Sequence, residues 1–194
     1  MNGNLIIKNA AEVVTCSGFA AKKGREMAEL NILNDGSVLI KDGIIEAVGK
    51  NREIEQQLKN AGTDQSGFDI IDARGKAVLP GFVDSHTHLV FGGYRAEEFS
   101  WRLRGDSYMQ IMQRGGGIVS TVEATRQASA EELLKAGIKR LNSMLSFGVT
   151  TVEGKSGYGL NCETEIKQLD VMARLDQVHY LDVVPTFLGA HAVP

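Results

Sequence analysis

The sequence predicts an α/β protein in two parts, residues 1–79 as a run of short strands and residues 80–194 as strands alternating with helices. Three observations carry this. Asp42-Gly43 stands between two apolar runs, 37–41 and 44–48, and Asp-Gly in that setting marks a tight hairpin because both turn residues must tolerate positive φ. Ser129 and Glu132 form an S-x-x-E capping box ahead of a helical apolar pattern. Strand-like stretches at 82–88, 149–153 and 181–188 are separated by helical periodicity, the signature of βα units and a parallel sheet.

In the first part, Leu5-Ile6-Ile7 and Glu12-Val13-Val14-Thr15 are β-rich runs, and residues 22–29 are charged and apolar-poor, as an exposed loop would be. The hairpin follows, then a short helix over 52–59, a polar loop over 62–67, and two more strands at 70–73 and 77–79. In the second part a buried strand opens after Pro80-Gly81. Residues 91–126 read as long, Gly-rich and irregular, with one helix near 108–114. The capped helix carries Leu133, Leu134, Ile138, Leu141, Met144 and Leu145, and Gly148 ends it as the residue past the cap. Ile166, Leu169, Met172 and Leu175 mark a further amphipathic helix before the last strand. Gly154, inside a strand, marks a close approach, here expected to involve substrate or metal.

Composition excludes several classes. Twenty-one basic against 24 acidic residues, a formal charge of -3, leave no basic footprint for nucleic acid. No apolar run nears the ~18 residues of a membrane helix. Cys16 and Cys162 form no disulfide framework, so a reduced, cytoplasmic setting is expected. A three-stranded βα sheet falls short of a complete barrel, which takes ~250 residues.

The chemistry-bearing residues begin with His86 and His88. Side chains at i and i+2 of a strand share a face, so a strand ending in His-x-His offers a two-point chelate; alternatively one ring packs and the other is solvated. Asp84 could orient one of them. His179, near a helix end, reads as structural, where a protonated ring would suit the dipole.

The stretch Val78-Leu79-Pro80-Gly81-Phe82-Val83-Asp84-Ser85-His86-Thr87-His88-Leu89 resembles the first barrel strand of the amidohydrolase superfamily, and the hairpin Ile40-Lys41-Asp42-Gly43-Ile44-Ile45-Glu46-Ala47-Val48-Gly49 resembles the small β domain that precedes it. Four later segments together are similar to the imidazolonepropionase family: His88-Leu89-Val90-Phe91-Gly92-Gly93-Tyr94-Arg95, Gln113-Arg114-Gly115-Gly116-Gly117-Ile118, Lys155-Ser156-Gly157-Tyr158-Gly159-Leu160 and Gly189-Ala190-His191-Ala192-Val193-Pro194. The resemblance implies a small β-sandwich-like domain over 1–79, incomplete and finished by a later segment, followed over 80–194 by the first part of a TIM (β/α) barrel. It implies His86 and His88 as ligands of one divalent zinc or iron ion, and Arg95, Tyr158 and His191 as substrate-binding residues. The general base, a glutamate and the remaining metal ligands are expected beyond residue 194, so the 194-residue chain alone is expected to be inactive. The implied reaction is metal-dependent hydrolysis of 4-imidazolone-5-propionate to N-formimino-L-glutamate in histidine degradation, with a small molecule as partner, neither nucleic acid nor membrane, and a possible homo-oligomer. Another cyclic amidohydrolase or deaminase, or a non-catalytic chain whose barrel a partner completes, stay open as alternatives.

Overall fold

The computed structural model describes residues 3–18 and 20–193; Met1, Asn2, Phe19 and Pro194, the last residue of the fourth resembling segment, lie outside the described residues. The chain divides into two compact units, Met1–Pro80 and Gly81–Pro194.

In the first unit, β1 (Leu5–Val14) pairs antiparallel with β2 (Ile32–Lys41), which continues antiparallel into β3 (Ile44–Lys50). The β2–β3 turn is Asp42-Gly43, with φ of 51° and 80°, the two positive values the sequence requires there. The two β-rich runs expected near the start are one strand. A bulge between Ile7 and Ala10 puts Asn9 at φ 60°, a conformation asparagine tolerates, and the ladder continues past it. A 3-10 turn, Gly24–Ala28, lies within the exposed stretch. Helix α1 (Asn51–Asn60) follows β3 directly. Then β4 (Asp69–Asp72) and β5 (Ala77–Val78) both pair in parallel with β1, at its start and its end.

Where a sandwich-like arrangement is expected, the described residues form one five-stranded sheet. The reason is in the pattern of β1 and β2. Ile6 and Leu39 pack on Ile54 and Leu58 of α1, so the helix is the second layer on that face. Ala10, Val13, Val38 and Ala73 form a separate small core.

In the second unit, β6 (Phe82–Thr87), β7 (Val149–Lys155) and β8 (Asp182–Thr186) form a parallel three-stranded sheet in the order β6-β7-β8. Between β6 and β7 lie α2 (Ala96–Leu103), α3 (Tyr108–Gln113), α4 (Gly117–Gln127) and α5 (Ala130–Ser146); α6 (Cys162–Val178) joins β7 to β8. The stretch 91–126 is therefore mostly helical. Its helices α2 and α4 lack a clean apolar stripe: α4 buries Gly117, Thr121, Val122 and Thr125, a small and polar set that periodicity does not flag.

The capping box at α5 forms as expected, Ser129 Oγ accepting the Glu132 N–H at 3.2 Å and Glu132 Oε2 accepting the Ser129 N–H at 2.8 Å. Gly148 takes φ 85° just past α5. Leu133 and Leu141 of α5, Val171, Met172 and Leu175 of α6, and Val152 and Val183 of the sheet make one core with Leu89, Val90 and Leu181. The buried face of α6 includes Met172 and Leu175 of the expected stripe but not Ile166. It is Thr164, Glu165, Gln168, Val171, Met172 and Leu175, whereas Ile166 is 51 % exposed. Three members of that face, Thr164, Glu165 and Gln168, are polar, which hides the stripe from an apolar count. Lys167 Nζ donates to the carbonyls of Thr125, Arg126 and Ala128, satisfying the end of α4.

Strand β6 is not buried on both faces: Phe82 and Val83 are exposed, as is Val184 of β8, while Val152 and Val183 face the helical layer. Gly154 is a close approach, but to the core. A Cβ there would stand 2.9 Å from Leu89 Cδ2 and 3.1 Å from Met172 Sδ. The glycine lets α6 pack against β7. No helix among the described residues is long and apolar enough to cross a membrane. Cys16 and Cys162 are free and exposed.

His179 caps α6 as a neutral ring. Its Nδ1 accepts the Leu181 N–H at 3.1 Å and its Nε2 lies 3.3 Å from Asn142 Oδ1. An accepting Nδ1 carries no proton, so the protonated ring expected from the helix dipole is not the form this cap uses. Burial lowers the His179 pKa from its ordinary 6.5. The unfolded chain then binds the proton more readily. The contribution is fully present above about pH 6.5 and is lost as pH falls through the lowered folded value. Urea titrations of wild type and His179→Asn between pH 5 and 8 should diverge toward neutral pH and converge toward acid.

Candidate active site

Four of the five expected site residues meet at or just beyond the C-terminal ends of the three parallel strands. His86 lies in β6 and His88 just past it, Tyr158 in the loop after β7, and His191 after β8. The His88 ring centroid is 4.6 Å from His191, 4.8 Å from Tyr158 and 5.8 Å from His86. Tyr158 and His191 are 5.7 Å apart and close to perpendicular. The i, i+2 relation of the two histidines thus keeps both rings on one side, as strand geometry dictates.

Backbone chemistry explains how the loops reach this point. Gly157 has φ 118°, and a Cβ on it would stand 2.7 Å from His191 Cβ and 3.0 Å from the Leu188 carbonyl. The loop before Tyr158 can pass His191 only as glycine. Ser156 is fully buried, its Oγ accepting the Leu188 N–H at 2.9 Å and its own N–H donating to the Thr186 carbonyl at 3.0 Å, which ties the β7 loop to the β8 loop. After Tyr158, the buried carboxylate Glu165 accepts the N–H groups of Gly159 and Leu160 at 2.7 and 2.9 Å, and Arg126 Nε donates to the Gly159 carbonyl at 2.7 Å. Among the described residues Glu165 Oε2 is buried without a partner, so Glu165→Gln should keep both N–H acceptances through its remaining oxygen but bury an amide NH2 that has no acceptor. Urea unfolding of that variant should show a loss of about 1–3 kcal/mol.

Arg95, the fifth expected residue, stands at the start of α2, and its Nη1 is 3.8 Å from Oε2 of the buried Glu98. Glu98 Oε1 also accepts the Gly117 N–H at 2.7 Å. The run Gly115-Gly116-Gly117 is explained by this packing, since a Cβ on Gly116 would stand 2.8 Å from Ile111 Cγ2 and 2.9 Å from Glu98 Oε1. Asp84 does not orient an imidazole. Its Oδ1 accepts the backbone N–H of His86 at 3.1 Å, a local turn at the strand end. Lys155 pairs with Glu153, whose Oε1 also accepts the Thr186 hydroxyl at 2.8 Å.

The His88 pKa is lowered from 6.5, first by burial, then by the neighbouring His191 and His86; a hydrogen bond with the Ser156 backbone acts in the opposite sense. The neutral ring is the form that offers a lone pair to a cation. Among the described residues His88 Nδ1 is buried without a hydrogen-bond partner. Among the described residues no group of three or more His, Cys, Asp or Glu is placed to hold a metal ion. The two imidazoles therefore suit part of a metal site, one ligand short of the three protein groups usual at catalytic zinc.

Sequence reasoning missed Glu165, Gln168 and Arg140. The first two are polar residues on the buried face of α6, and a buried Glu-x-x-Gln where apolar residues are due is the signal that could have found them. Arg140 reads as an ordinary surface charge of α5, and no sequence signal marks it.

The Amidohydrolase family profile matches residues 69–127. The chain is 57 % identical to the imidazolonepropionase of Clostridium tetani over 192 residues, covering 99 % of this chain and 45 % of that protein. It is 58 % identical to the imidazolonepropionase of Bacteroides fragilis over 197 residues, covering 100 % of this chain and 46 % of the relative. Among solved structures, E. coli guanine deaminase matches with a TM-score of 0.56 at 16 % identity, over 95 % of this chain and 36 % of that one. Ochratoxinase of A. niger matches with a TM-score of 0.53 at 15 % identity, over 95 % and 30 % respectively. These last two are likenesses of fold alone. At 57 % and 55 % identity along essentially its whole length, the chain is similar to imidazolonepropionases, of whose own length it spans 45 %.

Proposed function

We propose that this chain forms part of a metal-dependent cyclic amidohydrolase that opens the ring of 4-imidazolone-5-propionate to N-formimino-L-glutamate, a step of histidine degradation, in the cytoplasm. The observation that carries the reading is the convergence of His86, His88, Tyr158 and His191 at or just beyond the C-terminal ends of three parallel strands, where barrel enzymes build their sites. The names of the relatives at 57 and 58 % identity support the substrate. In this reading residues 80–194 are the first part of a (β/α) barrel, residues 1–79 a small β domain, and the general base and further metal ligands come from outside residues 1–194.

His86 and His88 would hold one zinc or iron ion, both of which imidazole accepts. Such an ion, when bound, polarises a carbonyl and lowers the pKa of water toward ~7. Tyr158 and His191 stand edge to face beside His88 and would bracket a flat ring there. Arg95, whose Nη1 lies 3.8 Å from Glu98, would take the propionate carboxylate through its guanidinium fork.

The test is a fusion of residues 1–194 to the remaining part of the Clostridium tetani relative. Metal-dependent opening of the imidazolone is expected. Turnover of hydantoin or guanine in its place would overturn the substrate assignment in favour of another cyclic amidohydrolase or deaminase. The 194-residue chain alone is expected to be inactive and to bind zinc weakly. One-to-one zinc binding at submicromolar affinity by that chain would contradict a site completed from elsewhere.

A further inference from the structure

The segment that follows His88 is held by an unusual density of side chains from three helices. Arg140 of α5 donates from Nη1 to the Leu89 carbonyl at 2.7 Å and to the Phe91 carbonyl at 3.1 Å. Gln168 of α6, fully buried, donates to the Val90 carbonyl at 2.7 Å. Thr125 of α4, also fully buried, accepts the Gly92 N–H at 3.0 Å and returns its own hydroxyl proton to the Thr121 carbonyl at 2.7 Å. Four successive residues, 89 to 92, thus have a backbone group bound by a side chain from a different layer. This segment is not in a strand or helix, so its polar groups have no ladder to satisfy them, and buried backbone groups must find partners elsewhere.

Arg140 does more than satisfy carbonyls. Its guanidinium carbon lies 3.6 Å from the Phe91 ring centroid and 5.5 Å from that of Tyr94. Phe91 in turn stands 6.1 Å from Tyr158, near perpendicular. Tyr158 is the ring packed against His88 and His191. A continuous set of contacts therefore runs from Arg140 through Phe91 to Tyr158, while the same guanidinium fixes the backbone one residue past His88. A planar fork that both donates and stacks is the property that separates arginine from lysine.

We propose that Arg140 is a positioning residue for this site. It acts through the 89–92 backbone and through Phe91 to hold His88 and Tyr158 against each other. Its bearing on catalysis rests on the function proposed above; its effect on the two rings does not.

The test is NMR on the 194-residue chain, wild type against Arg140→Ala and Arg140→Lys. The readouts are the cross-relaxation between the His88 and Tyr158 rings and the amide exchange rates of residues 88–92. The Val152 amide, in the core of β7, serves as internal reference. Both variants are expected to lose the ring–ring signal and to exchange at 88–92 about tenfold faster or more, with Val152 much less affected. The lysine variant keeps the charge and the stem but not the stacked fork, so it should not restore the alanine phenotype to wild type. Retention of the ring–ring signal in both variants, or an equal rise in exchange at Val152, would overturn the proposal, the second outcome marking Arg140 as a general packing residue. Should Arg140→Ala not fold, the lysine variant decides by the same two readouts. A zinc titration of the wild-type chain in the same spectra keeps the two readings apart. Absence of any shift at His86 and His88 counts against the metal assignment, while the ring–ring and exchange results still decide the role of Arg140.

Discussion

Alanine in place of His88 is expected to abolish measurable metal-dependent turnover in the fusion carrying a complete site. Loss of an outer partner to a metal ligand typically costs 10–100-fold in affinity or activity, and removal of a ligand itself should exceed that range. The structure adds a reason particular to this ring. His88 is the shared neighbour of His86, Tyr158 and His191, at 5.8, 4.8 and 4.6 Å, so its loss removes the group on which the others pack. Steady-state rates with and without added zinc or iron check this. Recovery of turnover by excess metal would show a weakened site in place of a lost one. Turnover near wild type without metal supplementation would remove His88 from the ligand set. The parallel variant His179→Asn, remote from these rings and engaged with Asn142 and Leu181, should leave turnover unchanged.

The second large effect is on stability. Gly157→Ala should cost about 2–5 kcal/mol, the sum of left-handed strain and overpacking. At φ 118° an L side chain is strained in any surroundings. The new Cβ would also meet His191 Cβ at 2.7 Å and the Leu188 carbonyl at 3.0 Å, and both belong to the segment that brings His191 to the site. Relief therefore requires the β7 loop and the 188–191 segment to part. Urea unfolding measures the loss, and disappearance of the Tyr158–His191 ring contact in NMR locates it. A variant within about 0.5 kcal/mol of wild type, the range of an inert surface change, would show that the loop at Gly157 is not held in this conformation. Gly43→Ala, at φ 80° but with open space around the new Cβ, is the control that carries strain without the clash.

Much of the local structure was legible because its causes are local. Asp42-Gly43 forms the turn that two positive φ values demand, and Ser129 and Glu132 close their box within one helical turn. The His-x-His pair at the end of β6 points both rings to one side because a strand alternates. The helices α2 and α4 escaped notice because small and polar residues line their buried faces, and the buried face of α6 was legible only at Met172 and Leu175 because Thr164, Glu165 and Gln168 occupy positions where apolar residues are counted.

The sequence by itself determined the alternation of strands and helices in the second unit, the hairpin, the α5 capping box and the pair of adjacent imidazoles, since each depends on residues within a few positions of one another. Only the tertiary structure decided which distant groups meet. It brings Tyr158 and His191 to His88, turns Arg95 toward Glu98, packs Gly154 on Met172, and sets Arg140, Gln168 and Thr125 around the backbone that follows His88. These contacts join residues 3 to 103 positions apart, most of them far beyond the reach of one turn or one helix. They arise from burying a segment without ladder partners, whose polar groups must be satisfied by whatever side chains the packed helices present.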